Sequence, residues 1–208
     1  ALDQQDALRS LRDLFQLPEG VIYLDGNSLG VLPKATPSRV AQAVTQEWGT
    51  DLIKSWNTAG WFQLPLKVGN KIAKLIGAKD DEVVAADSTS INLFKVLSAA
   101  LSIAKADHPE KNIILSERTN FPTDLYIAEA LCKERGYQLK LVEAEELPSA
   151  LQSDVAVLML THVNYRTGAM LNMHDMTTAA HAVGALPGPR AVYRIGPGLG
   201  DALAAGVL

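Results

Sequence analysis

The sequence predicts an α/β protein with a mostly parallel sheet flanked by helices. Three observations carry that prediction. From about residue 82 onward, short runs rich in Val, Ile and Leu alternate with longer segments of helical period. The runs are nearly continuous in apolar residues, as expected of strands covered on both faces. Each helical segment is long enough to serve as the crossover that parallel strands require.

The elements follow in order. Asp3 to Phe15 places Leu8, Leu11, Leu14 and Phe15 at helical spacing and stops at Pro18 and Gly20, which predicts a short amphipathic entry helix. Val21 to Leu24 reads as a strand. The loop Asp25-Gly26-Asn27-Ser28-Leu29-Gly30 follows, and its glycines let the backbone take positive φ close to a ligand. Residues 37–53 read as a helix, Trp56 and Trp61 flank Gly60, and a further helix covers about residues 66–76 before Gly77. Strands are then expected at Glu82–Ala86, Asn112–Ser116, Tyr137–Val142 and Val155–Leu160. Helices are expected at Ser90–Ala104, Thr123–Arg135, Leu147–Gln152 and Met173–Val183. From Pro187 the composition shifts: the last 22 residues hold five Gly, three Pro and no Lys.

Composition narrows the classes of function. With 48% hydrophobic and 20% charged residues the chain reads as globular. A net charge of −4, without a Lys/Arg run, argues against a nucleic-acid partner, which calls for a concentrated positive face. The single cysteine, Cys132, excludes an intrachain disulfide and makes the cytoplasm the expected compartment. The N-terminus ALDQQDALRS has the pattern of neither a signal peptide nor a membrane anchor, so no membrane partner is expected.

In sheets of this kind ligands sit beyond the carboxyl ends of the strands, so the strand-to-helix loops are the candidate sites. Asp87-Ser88-Thr89-Ser90 puts hydroxyls at a helix start, where they either cap the backbone or, with the free N–H groups and the helix dipole, hold a phosphate. Asn120-Phe121-Pro122-Thr123-Asp124 offers a flat ring for stacking and a carboxylate in a first helical turn; core packing and helix-start chemistry would use the same residues. Thr161 to Gly168 gathers hydrogen-bonding side chains, with Arg166 able to meet an anion. His162, His174 and His181 lack the ligand set of a metal site, and no metal is expected. The Gly196 to Gly200 run fails the dinucleotide pattern, because Asp201 stands where its third glycine belongs. Trp48, Trp56 and Trp61 read as a surface for a partner or substrate, or as core.

YLDGNSLG (Tyr23 to Gly30), DSTSINLFKVLSA (Asp87 to Ala99), TNFPTDLYIAEAL (Thr119 to Leu131) and LTHVNYRTGAM (Leu160 to Met170) together closely resemble bacterial kynureninases, in order, as far as about Ala185. The resemblance implies the fold type I architecture of pyridoxal-phosphate-dependent transferases, and hydrolysis of L-kynurenine or 3-hydroxykynurenine to anthranilate or 3-hydroxyanthranilate and L-alanine, by a homodimer using pyridoxal 5'-phosphate. It implies that Thr89 and Ser90 hold the cofactor phosphate, that Phe121 stacks on the pyridine ring, that Pro122, Thr123 and Asp124 form further cofactor contacts, and that Thr161 approaches the ring. Asn27 and Trp56 would help shape the kynurenine pocket. Residues 1–65 are then an entry segment on the substrate side, 66–186 part of the cofactor-binding large domain, and 187–208 an atypical tail.

Beyond HAVGA the family continues into a strand ending in Asp-Leu-Ala-His, whose Asp pairs with the pyridinium nitrogen, and later into a Tyr-Lys motif carrying the Schiff-base lysine. Here the chain reads LPGPRAVYRIGPGLG, and the last of its 11 lysines is Lys140. No catalytic residue is therefore assigned, and little turnover is expected of this chain, which reads as an N-terminal portion. Two alternatives are a different enzyme of the same fold type, such as a cysteine desulfurase, and a non-catalytic remnant that binds the cofactor or phosphate.

Overall fold

The computed structural model describes residues 4–26, 28–185, 192–195 and 202–205. The chain divides into two compact units, Ala1–Ala86 and Asp87–Leu208.

In the first unit a two-stranded antiparallel ladder joins β1 (Phe15–Gln16) to β2 (Leu32–Pro33). Helix α1 (Thr36–Gln42) runs on into a π-type turn at Ala43–Trp48, then come α2 (Ser55–Thr58) and α3 (Leu64–Ile76). α3 begins with Pro65 in its first turn and ends on Gly77 in the left-handed region, φ 77°, both favourable for helix termini. The segment expected as an entry helix instead forms a 3-10 turn, Arg9–Leu14, with Leu8, Leu11 and Leu14 exposed. A helix this short does not form on propensity alone, and no buried face compensates its nucleation.

Two expected strands are also absent. Val21 to Leu24 pairs in no ladder among the described residues, and the Tyr23 hydroxyl donates to the backbone carbonyls of Asp25 (2.9 Å) and Leu29 (2.6 Å). Glu82–Ala86 is likewise no strand, because its backbone is committed to α3. The Ala85 N–H donates to the Pro65 carbonyl at 3.1 Å. The Val83 carbonyl presses so closely on Gly69 that a Cβ there would lie 1.9 Å from its oxygen. Only glycine admits that approach.

The second unit holds the sheet. It contains α4 (Thr89–Asp107), β3 (Ile113–Glu117), α5 (Pro122–Arg135), β4 (Gln138–Val142), α6 (Leu147–Ala150), β5 (Val155–Thr161) and α7 (Met173–Ala182). Each falls within a few residues of its expected place. The strand-like AVYRI run holds β6 (Val192–Ile195), and β7 (Ala202–Ala205) follows it. The strand order is β4-β3-β5-β6-β7, parallel from β4 to β6, with β7 antiparallel at the edge.

β5 is buried along its whole length, with Val155, Ala156 and Val157 at 0% exposure, which explains its unbroken apolar run. The core lies on both sides of the sheet. Leu93, Leu97 and Leu101 of α4 pack with Ala128, Leu131 and Cys132 of α5 against Ile114, Val157 and Met159. On the other side Leu147 and Ala150 of α6 and Ala180 of α7 pack against Leu115, Leu158 and Leu160.

The order and the two cores locate a switch in the winding. The crossover leaving β3 passes over one face through α5 to β4, and the one leaving β5 passes over the other through α7 to β6. The adjacent carboxyl ends of β3 and β5 are therefore the topological switch point, the place where ligands bind in sheets of this kind.

Candidate active site

The β3 loop carries Thr119 to Asp124 and the β5 loop Thr161 to Gly168. The two are tied by buried side chains. The Asn120 amide oxygen accepts the Phe121 N–H at 2.7 Å and the Thr161 hydroxyl, while its NH2 donates to Ser116 Oγ at 3.1 Å. Asn164 makes the second tie: its NH2 donates to Glu117 Oε1 at 3.0 Å and to Thr119 Oγ1 at 2.8 Å. Its amide oxygen accepts the N–H groups of Arg166 (2.9 Å) and Thr167 (3.2 Å), so the same residue also shapes its own loop. Glu117, Asn120, Thr161 and Asn164 are all buried, and such groups are tolerated only when hydrogen-bonded. The Glu117 carboxylate also accepts from the Thr119 hydroxyl.

Phe121 is half-buried and meets the ring of Tyr165 edge-on, centroids 5.2 Å apart and planes at 69°. Pro122 opens α5, Thr123 is half-buried, and Asp124 is buried in the first turn, where a carboxylate complements the helix dipole.

α4 brings its N-terminus to the same end of the sheet. Its later residues lie at the amino end of β4: the Tyr137 hydroxyl donates to the Leu101 carbonyl at 3.1 Å, and Arg135 to the Ser98 carbonyl at 2.9 Å. The helix thus runs antiparallel to the strands. Ser88 is its N-cap, with Oγ accepting the Ile91 N–H at 3.4 Å, so Thr89 and Ser90 are the first helical residues and their hydroxyls are not the cap. Asp87, at φ 43°, turns the chain into the helix, and its carboxylate pairs with Lys95.

The cofactor-site residues expected from sequence in this unit thus sit at the start of α4 or on the two switch-point loops. Asn27 lies outside the described residues, as does the Gly196 to Gly200 run. Trp56 belongs to the first unit, half exposed, with the Phe62 ring 6.4 Å away. Trp48 is exposed, whereas the Trp61 indole N–H donates to Glu47 at 2.7 Å. Asn164 and Glu117 were not singled out from sequence. The signal for Asn164 was an Asn three residues past a strand end, facing a second polar strand-end loop; Glu117 carried none, being an acid at the end of an apolar run.

Among the described residues no group of three or more His, Cys, Asp or Glu could hold a metal, and no helix is long and apolar enough to cross a membrane. The chemistry present suits a phosphorylated aromatic ring. α4 offers N–H groups and hydroxyls for a dianion, Phe121 an aromatic face, and Thr161 and Asp124 polar contacts.

A mostly parallel sheet with these crossovers is found in many α/β families, among them the pyridoxal-phosphate-dependent transferases of fold type I, and the chain's family match makes it part of their large domain. Residues 22–187 match the aminotransferase class-V family, and the chain belongs to that family. It is 57% identical over 189 residues to the kynureninase of Pseudomonas fluorescens, covering 89% of this chain and 45% of that relative. The kynureninases of Burkholderia mallei and Burkholderia pseudomallei are 53% and 52% identical over the same 189-residue length. The chain spans about half the length of these curated relatives.

Among solved structures, a C-DES variant with glycine covalently linked to its PLP cofactor matches with a TM-score of 0.70 at 14% identity, over 90% of this chain and 49% of that one. A cysteine desulfurase from Escherichia coli matches with a TM-score of 0.66 at 18% identity, over 89% of this chain and 47% of that one. At such identities the likeness is one of fold.

Proposed function

We propose that this chain supplies the phosphate-binding half of a kynureninase, a hydrolase acting on a carbon–carbon bond that converts L-kynurenine or 3-hydroxykynurenine to L-alanine and anthranilate or 3-hydroxyanthranilate in tryptophan catabolism. Identity above 50% to kynureninases supports the substrate class. The observation that carries the reading is the pairing of the Phe121 and Thr161 loops through Asn120 at the switch point.

In this reading Thr89 and Ser90, with the backbone N–H groups of the first turn of α4, hold the cofactor phosphate. Phe121 stacks on the pyridine ring, Pro122 and Thr123 line its edge, and Thr161 approaches it from the β5 loop. Asp124 places negative charge beside it. Bound there, pyridoxal phosphate supplies an electron sink for bond cleavage next to the substrate's α-carbon. Asn27 and Trp56 are proposed substrate contacts. The division at residues 65 and 186 into substrate side, cofactor domain and tail belongs to the same proposal, as do the cytoplasmic location and homodimer. All 11 lysines lie at or before Lys140, and none is on the switch-point loops, so the chain alone is proposed to bind the cofactor without a lysine linkage.

The test has two parts. The purified chain is titrated with pyridoxal phosphate and treated with borohydride; saturable binding that inorganic phosphate competes away, with no lysine adduct, is expected. A chimera joining residues 1–185 to the remaining half of the Pseudomonas fluorescens relative is then given kynurenine or cysteine. Anthranilate release supports the reading, whereas sulfur release from cysteine without anthranilate overturns the substrate. Robust anthranilate production by the chain alone overturns its proposed inactivity.

A further inference from the structure

Phe121 is held from two directions, through Asn120 of its own loop and Tyr165 of the neighbouring one. Its backbone N–H donates to Asn120, whose amide oxygen also accepts the Thr161 hydroxyl, and its ring meets Tyr165 edge-on at 5.2 Å. Tyr165 is itself placed by Asn164 next to it, which is buried and uses both ends of its amide: inward to Glu117 and Thr119, and back onto the N–H groups of Arg166 and Thr167. The loop is closed behind by Asn164 N–H donating to the Ala169 carbonyl at 2.8 Å and by Gly168 in the left-handed region at φ 71°. Tyr165 is 44% exposed, so the core does not require its ring. In an edge-to-face pair one ring presents its edge to a face of the other, which restrains the plane of each and leaves at least one face of Phe121 uncovered by Tyr165.

We infer that Tyr165, aimed by the Asn164–Glu117 tie, is a positioning residue that sets the plane of Phe121 and thereby the face on which the cofactor ring stacks. This rests on the proposed cofactor reading of Phe121. What the contact requires of Tyr165 is its ring, because among the described residues no hydrogen bond of the Tyr165 hydroxyl enters the arrangement.

The test is equilibrium titration of the chain with pyridoxal phosphate, read by cofactor absorbance and circular dichroism, for the wild type, Tyr165→Phe and Tyr165→Leu. Thermal unfolding is followed alongside. The expected result is wild-type affinity for Tyr165→Phe, and a roughly two- to tenfold loss for Tyr165→Leu with an altered cofactor dichroism and an unchanged unfolding midpoint. Inorganic phosphate competes equally well in all three, since the α4 terminus is untouched. If the wild type binds the cofactor and Tyr165→Leu binds it equally well with the same dichroism, the positioning role is overturned while the cofactor reading stands. If the wild type shows no saturable binding, both fall together.

Discussion

The Asn164 amide nitrogen lies 3.0 Å from Glu117 Oε1, joining the loop after β5 to the end of β3. Both side chains are buried, and the carboxylate is satisfied by hydroxyl and amide donors. An amide is well suited to this position because one end can donate inward while the other accepts from the loop backbone.

That complementarity predicts a swap experiment. Asn164→Asp sets two carboxylates against each other and should cost about 2–4 kcal/mol of unfolding free energy. Glu117→Gln in the same chain restores a donor between the two positions and should recover most of the loss. Urea unfolding of the two single variants and the double variant gives the coupling; simple additivity would show that the tie is energetically idle.

The start of α4 predicts a separation of stability from binding. Ser88→Ala removes the cap and should cost about 0.5–1 kcal/mol, since the cap bond is long at 3.4 Å. Thr89→Ala with Ser90→Ala should leave stability nearly unchanged but weaken the binding of both pyridoxal phosphate and inorganic phosphate. Unchanged dissociation constants for both ligands after that double change would remove these hydroxyls from the site.

Glu47 predicts a pH dependence in the first unit. The Trp61 indole N–H, followed by Arg39, holds its carboxyl below the usual carboxylate range, outweighing the opposite effect of burial. A lowered folded-state value means that the stabilisation is present above the unfolded-state value, near 4.3, and is lost as pH falls through the folded one. Trp61→Phe should raise the Glu47 titration midpoint, measured by carboxyl chemical shift, and move the onset of acid destabilisation to higher pH.

Burial pushes the Cys132 thiol up to about 11, with Glu129 adding to the shift. Only a small fraction is thiolate at pH 8, and the side chain is 4% exposed. Ellman's reagent should leave the native chain unmodified over minutes at that pH and react rapidly once guanidinium unfolds it. Fast native labelling would show that the α4–α5 face opens.

Most of the second unit was legible because its signals are local. Pro122 at the start of α5, Gly136 at its end and the apolar run of β5 each state their element without reference to the rest of the chain. Where the reading failed, the deciding partner lay elsewhere in sequence. Val83 and Ala85 have strand character, but their backbone is held by Pro65 and Gly69. Leu8, Leu11 and Leu14 have helical spacing, but spacing without a face to bury does not sustain a helix.

The candidate site divides in the same way. Thr89, Ser90, Phe121, Asp124 and Thr161 stand as candidates because helix starts and strand ends are readable one segment at a time. The Asn120–Thr161 and Asn164–Glu117 ties span 41 and 47 residues of chain. Their partners become neighbours only when β5 docks beside β3. Local order thus set the α/β alternation, the loops and their hydroxyls and rings, whereas packing chose which buried amide meets which oxygen. An unmatched polar group in a closed core is too costly to leave, and its partner is whichever group the fold brings within reach.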